Sequence, residues 1–336
     1  MERKWIGLLG AAALAVRVFL VLAVPEVPGI SRAGWRAPEE ILASFRETPA
    51  PSSEPAPAQA PPAPGPTPEP LPSAPPADSP APDMPSSSSL PETSPAPPAG
   101  ALIQNLTSAD PEAEALSSEP LSQSLSGDGP QILILHTHGT EAYMPVPGEE
   151  YDPSDPYRTT DPAHSVIRVG DVLCAALERQ GLRVIHDRNL YDYPSYTGSY
   201  SRSQAAAEEW LRRYPSVGVV IDLHRDGVEP DRTDPPGDAP SALMLVIGTG
   251  ENGLEHPLWR ENLKLALAME RALLADGEAR TRPIRLVRER YNQHLSTGAF
   301  ILEVGSNADS LSQAERGAEL FARAVGPLFL SLAEAD

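Results

Sequence analysis

Between residues 47 and 128 the chain carries most of its 40 prolines and not one lysine, arginine or aromatic residue. Large apolar side chains are too few there to offset the entropy of ordering a backbone, so this Pro/Ala/Ser-rich stretch is expected to be a disordered linker. With polyproline II character it would reach roughly 250 Å at ~3.1 Å per residue. What can fold is thereby confined to residues 129–336, about 200 residues of ordinary composition and enough for one sizeable core.

Upstream of the linker, Arg3 and Lys4 precede a run, residues 5–25, that is apolar apart from Arg17. About twenty apolar residues span a bilayer, and basic residues on the leading flank place that flank in the cytoplasm. Residues 1–25 are therefore expected to be a retained signal anchor, a transmembrane helix, with 26–46 a juxtamembrane segment and all that follows outside the cytoplasm. The formal net charge of −20 makes nucleic acid an unsuitable partner, since phosphate contacts need a basic surface. The single cysteine, Cys174, excludes an intrachain disulfide and reads as a small hydrophobe within a helix.

From residue 131 onward, short apolar runs alternate with helical periods. Strands are predicted at 131–135, 182–186, 217–223, 242–247 and 299–304. Helices are predicted at 166–179, from a Ser201/Gln204 capping box to about 213, at 262–275, and at about 310–332. Apolar strands without strict polar alternation, separated by helices, indicate an α/β domain with a largely parallel sheet flanked by helices on both faces. Ligand sites in such sheets lie beyond the carboxyl ends of the strands.

Residues of the metal-binding and acid–base types gather at those ends. His136 and His138 follow the first strand in L-H-T-H-G-T-E, His224 follows the third in I-D-L-H-R-D-G, and Glu303 closes the last in F-I-L-E-V-G-S-N. Two imidazoles and a carboxylate with one open position form a catalytic zinc set, and a further free carboxylate would complete hydrolytic machinery. His186, His256 and His294 read as structural or surface residues.

These same residues carry a resemblance. The stretches I-L-I-L-H-T-H-G-T-E-A-Y (132–143), Y-P-S-Y-T-G-S-Y-S-R-S (193–203), V-V-I-D-L-H-R-D-G (219–227) and F-I-L-E-V-G-S-N (300–307), with R-V-G-D (168–171) and W-R-E-N-L (259–263), resemble the stage II sporulation protein P family of endospore-forming bacteria. More distantly the domain is similar to zinc N-acetylmuramoyl-L-alanine amidases, whose motifs match His138-Gly139, His224 and Glu303-Val304-Gly305. The resemblance implies an amidase-like fold and Zn2+ held by His138 and His224. It also implies Glu303 as the catalytic carboxylate and a peptidoglycan substrate cut at the muramoyl–L-Ala amide, with peptide cross-links as a further substrate. It places the chain in spore engulfment, in the space between the two membranes of the sporulating cell, with stage II sporulation proteins D and M as partners. The amidases' third ligand has no match here. Glu141 ranks first for that position, His136 second and His164 third, and His136 is expected to point away from His138. Arg225 is read either as the group that stabilises the oxyanion or binds a substrate carboxylate, or as an ion-pair partner of Asp222 or Asp226. The competing functions are a zinc peptidase acting only on stem peptides and a non-catalytic wall-binding scaffold.

Overall fold

The computed structural model describes residues 102–227 and 239–334. The expected anchor, the juxtamembrane segment and most of the expected linker lie outside these residues. Among the described residues no helix is long and apolar enough to cross a membrane.

In chain order the elements are β1 (Ile103–Asn105), α1 (Ala113–Leu116), β2 (Ile132–Leu135), α2 (Val166–Glu178), β3 (Val184–His186), α3 (Ser199–Arg213), β4 (Val219–Asp226) and β5 (Leu243–Gly248). After these come α4 (Trp259–Asp276), β6 (Ile284–Val287), a 3-10 turn (Gln293–Leu295), β7 (Ala299–Ser306) and α5 (Leu311–Glu334). The seven strands form one sheet in the order β1-β6-β5-β7-β4-β2-β3. Neighbours pair in parallel everywhere except at the join of β5 to β7, which is antiparallel. The sheet is largely parallel, as expected, but its one antiparallel join divides it into two parallel halves running in opposite directions. Only the half made of β7, β4, β2 and β3 brings its carboxyl ends to the edge where His138, His224 and Glu303 lie.

Period-2 alternation sorts each strand's side chains between two faces. Ile132, Ile134, Ile221, Leu223, Phe300, Leu302 and Val304 join the main core, under α2, α4 and α5. Leu133, Leu135, Val220 and Ala299 face the other way, with Ala207 and Trp210 of α3. Helix α2 fits this plan because Val166, Ile167, Val169, Leu173, Ala176 and Leu177 share one buried stripe, and the Ser165 hydroxyl caps it by accepting from the Ile167 amide. Each fully buried Leu, Ile or Phe in the main core contributes about 1.5–3 kcal/mol.

Three expectations need correction. Helix α3 starts at Ser199 behind Gly198 and has no side-chain cap, so Ser201 lies inside the first turn. Gln204 turns its amide to Glu208 instead of reaching back. Strand β4 runs past Leu223 through Asp226, which makes His224 part of the strand. The folded unit also begins well before residue 129. β1 pairs with β6 at the sheet edge, and Leu116 and Leu125 are buried in the main core. Composition averaged over the Pro-rich tract hid these few leucines. The W-R-E-N-L motif of α4 and the Lys264 that follows it hold this arm: Arg260 pairs with Glu112, Glu261 accepts from Ser122, and Lys264 lies 3.4 Å from Glu119.

Helix α4 also buries an acid in the core. Glu270 is enclosed, accepts from the Thr281 hydroxyl at 2.8 Å, and is pushed by burial up to about 7 against that hydroxyl's opposing pull. A carboxyl held higher in the folded than in the unfolded chain stabilises fully below its unfolded value and loses that contribution as pH rises through about 7. The loss is on the order of 3 kcal/mol. Glu270→Gln, which keeps an acceptor for Thr281 and removes the charge, is expected to raise the thermal midpoint at pH 8 and leave it unchanged at pH 4. Equal midpoints at pH 8 would show that Glu270 is not held in this way.

Candidate metal centre

Strand β4 is the axis of the site. Alternation sends Asp222 and His224 to the face opposite Leu223, and the register sets His224 directly beside Glu303 of β7. That register slips just beyond, between His224 and Asp226, where β7 carries an extra residue. Gly305 there has φ +67°, and a Cβ would come within 2.6 Å of the Ser241 hydroxyl, which explains the glycine of E-V-G-S. On the other side the β2·β4 pairing ends at Leu135↔Asp222, and the chain turns. The Glu141 amide donates back to the His138 carbonyl at 3.1 Å, closing a turn that sets Glu141 next to His138.

His138, Glu141 and His224 converge, buried, with one ligand-type atom of each inside a 4.8 Å cluster. Glu141 Oε2 lies 3.4 Å from His224 Nδ1, and Oε1 lies 3.7 Å from His138 Nδ1. Behind His224, Asp222 Oδ1 stands 2.8 Å from Nε2, and the Thr137 amide and hydroxyl donate to the same carboxylate at 2.8 and 2.7 Å. With a carboxylate on the Nε2 side, Nδ1 is the nitrogen that faces Glu141 and the cluster, and a carboxylate behind the ring is the usual outer arrangement of a metal-binding histidine.

The electrostatics suit a cation. Burial opposes charge on His224, but Asp222 and then Glu141 outweigh it and hold its pKa well above the usual histidine range. Two carboxylates that favour positive charge at this imidazole also favour a metal ion beside it. Burial lowers His138 to about 3, leaving a neutral ring able to ligate. Glu141 stays far below the usual carboxylate range despite its burial, held there by the His224 hydrogen bond and the charge of Arg225. An anionic carboxylate and two imidazoles are the donors that zinc takes.

Glu303 is different. Burial first, and then the charges of Asp226 and Glu141, push its carboxyl up to about 8 against the pull of His224 and Arg225. Its Oε2 is enclosed with no hydrogen-bond partner. Such an orphan is costly in a folded protein and marks a group kept for chemistry.

Aromatic rings wall the site. Tyr196 stacks on His138 with centroids 4.6 Å apart, and Tyr200 meets it edge-on at 5.4 Å. The segment bearing Tyr196 is held by Arg202, which donates to the carbonyls of Tyr191, Ser195 and Thr197. Arg158, which the sequence reading passed over, lies 3.5 Å from Glu141 Oε1, pairs with Asp192 at 2.9 Å, and covers the Tyr196 ring.

The remaining candidates fall elsewhere. Arg225 pairs with neither Asp222 nor Asp226. Its Nε and Nη2 donate to the carbonyls of Ala142 and Tyr157, and its own amide reaches Glu141 Oε2 at 3.3 Å. That leaves its guanidinium fastened to the loop that carries Glu141. Asp226 pairs instead with Arg282. His164 sits on Asp161 near the surface, and His136 contacts the Leu223 carbonyl and His186. His136 does point away from His138, but the cause is the turn after Leu135. An unbroken strand would set residues two apart on one side.

A mixed α/β sheet that ends in a buried His–Glu–His cluster, with an unpartnered glutamate alongside, defines a candidate mononuclear metal site. The family model for stage II sporulation protein P matches residues 84–326, and the chain belongs to that family. The stage II sporulation protein P of Bacillus subtilis (strain 168) is 25% identical over 212 residues, 57% of this chain and 49% of that protein. The chain thus matches about half the length of this curated relative. Among solved structures, an N-acetylmuramoyl-L-alanine amidase from Clostridium difficile 630 aligns with 61% of this chain and 98% of its own, at 12% identity and a TM-score of 0.36. One of Nostoc punctiforme aligns with the same shares at 13% identity and a TM-score of 0.34.

If Asp222 orients His224, Asp222→Asn should weaken metal binding about 10–100-fold. His138→Ala, Glu141→Ala and His224→Ala should each abolish stoichiometric binding. Chelator competition on the purified chain measures both effects, and undiminished affinity in Asp222→Asn would remove the outer carboxylate from the account.

Proposed function

We propose that this chain is a zinc-dependent peptidoglycan hydrolase that cleaves the N-acetylmuramoyl–L-alanine amide during sporulation. The observation that carries this reading is the orphaned carboxylate of Glu303 on the same sheet face as the His138–Glu141–His224 cluster. The motifs shared with the zinc amidases, at His138-Gly139, His224 and Glu303-Val304-Gly305, support the choice of bond.

His138, Glu141 and His224 would hold the ion. When bound, zinc supplies a Lewis acid for the scissile carbonyl and lowers the pKa of a water towards 7. The chain's own residues do the rest. Glu303 takes a proton from the attacking water and passes it to the leaving nitrogen, so that the amide and one water become the lactyl carboxylate and the free amine of L-Ala. To take that proton Glu303 must first be ionised, and a cation held beside it by the cluster would favour the ionised form against the burial that raises its carboxyl. Asp222 keeps the His224 ring in one tautomer throughout. Arg225 acts as a positioning residue, tying the Glu141 loop to β4 through Ala142 and Tyr157. Tyr196 and Tyr200 exclude water from one side of His138.

The anchor read at residues 1–25 and the long proline-rich tether fit a hydrolase that works at some distance from its membrane, outside the cytoplasm. The family resemblance adds engulfment as the setting and stage II sporulation proteins D and M as partners.

Glu303→Gln is expected to bind metal normally yet lose at least a hundredfold in turnover, about the range of general acid–base catalysis. Mass spectrometry of wall digests by the wild-type chain should find stem peptides with a free L-Ala amine. Cuts confined to bonds within the stem peptides would make it a peptidase, and full activity in Glu303→Gln would remove Glu303 from the catalytic role.

A further inference from the structure

His136 is buried two residues before His138, yet it stands outside the donor cluster. Its surroundings are specific. Nδ1 lies 2.9 Å from the Leu223 carbonyl oxygen, and Nε2 lies 2.8 Å from Nε2 of His186. A carbonyl can only accept, so the proton of the His136 ring is on Nδ1 and its Nε2 is the acceptor for an N–H of His186. His186 in turn presents Nδ1 to Asp171 Oδ1 at 3.1 Å, and Arg188 pairs with the same carboxylate. Asp171 and Gly170 belong to α2. A Cβ on Gly170 would lie 2.7 Å from His136 Nε2 and 2.6 Å from His186 Nε2, so only glycine admits the two rings. The R-V-G-D motif, which the catalytic reading leaves without a task, is thereby accounted for.

The contact with Leu223 matters because of where it falls. The β2·β4 pairing stops at Leu135↔Asp222. At the next step a side chain, the His136 imidazole, donates to β4 across the gap. Leu223 immediately precedes His224. One ring therefore joins the segment that delivers His138 to the segment that delivers His224.

We propose that His136 is a positioning residue of the metal centre. Through Leu223 it sets the separation of His138 and His224, and His186, Asp171 and Gly170 hold its ring in the tautomer that does so. This rests on the metal-centre reading above. An aliphatic side chain of similar volume would leave the Leu223 carbonyl and the His186 N–H buried without partners.

The test uses the full chain with Zn2+ and Co2+ as probes and three substitutions. His136→Asn keeps an N–H near the position of Nδ1, His136→Gln moves it to the position of Nε2, and His136→Leu removes it. The expectation is a 10–100-fold loss of metal affinity in His136→Leu and His136→Gln, with most of it recovered in His136→Asn. The Co2+ absorption spectrum should keep its form in all three, because the ligands are unchanged. Long-range 1H–15N spectra of the wild-type chain should find the His136 proton on Nδ1, a readout that holds even where His136→Leu fails to fold. Wild-type affinity in both His136→Leu and His136→Gln would overturn the proposal while leaving the metal centre intact. A changed Co2+ spectrum and equal loss in all three would make His136 a ligand instead, and a proton found on Nε2 would equally defeat the proposal. If the wild-type chain binds neither metal, the metal-centre reading itself fails and takes this inference with it.

Discussion

Parallel pairing of β4 between β2 and β7 is the constraint on which the site depends. In a parallel sheet the carboxyl ends of adjacent strands emerge together, and here Leu135 pairs with Asp222 while His224 pairs with Glu303. Segments far apart in the chain thus meet on one face, with Glu141 Oε2 3.4 Å from His224 Nδ1. The face matters as much as the edge. Three helices cover the side to which Ile221 and Leu223 point, whereas α3 and a few aromatic rings cover the side that bears His224. Chemistry is built where the sheet is less thickly covered.

The carboxylates around His224 divide the work by their surroundings. Asp222 is anchored by Thr137 and meets the Nε2 side of the ring, whereas Glu141 meets the Nδ1 side. Glu303 has neither kind of support and is pushed towards its neutral form. Acids of nearly the same intrinsic strength are thereby driven to different states, ionised at Asp222 and Glu141 and towards neutral at Glu303, with nothing but environment to separate them.

How much of this was legible in the sequence follows from the kind of contact involved. His138, His224 and Glu303 could be found because apolar runs mark strands and their ends are where such residues collect. Glu141 could be ranked first because it lies three residues from His138. Arg225 could not be placed, since its partners are the backbone carbonyls of Ala142 and Tyr157, and composition carries no trace of a carbonyl's position. Arg158 reaches Glu141 only through the fold-back that pairs residues 141 and 158 across an intervening loop. The antiparallel join of β5 to β7 escaped for a related reason: hydrophobic periodicity reports which face is buried and says nothing of direction. β1 and β6 are short, with partly exposed positions, and so left no apolar run to detect.

The account centres on one claim, that His138, Glu141 and His224 together hold a zinc ion. X-ray absorption at the zinc edge of the metal-loaded chain tests it most directly. Two imidazoles with oxygen neighbours at about 2.0–2.2 Å, with no protein-bound zinc left in His224→Ala, is the predicted result. A sulfur shell at about 2.3 Å, which would point to Cys174, or a shell without histidine would contradict it.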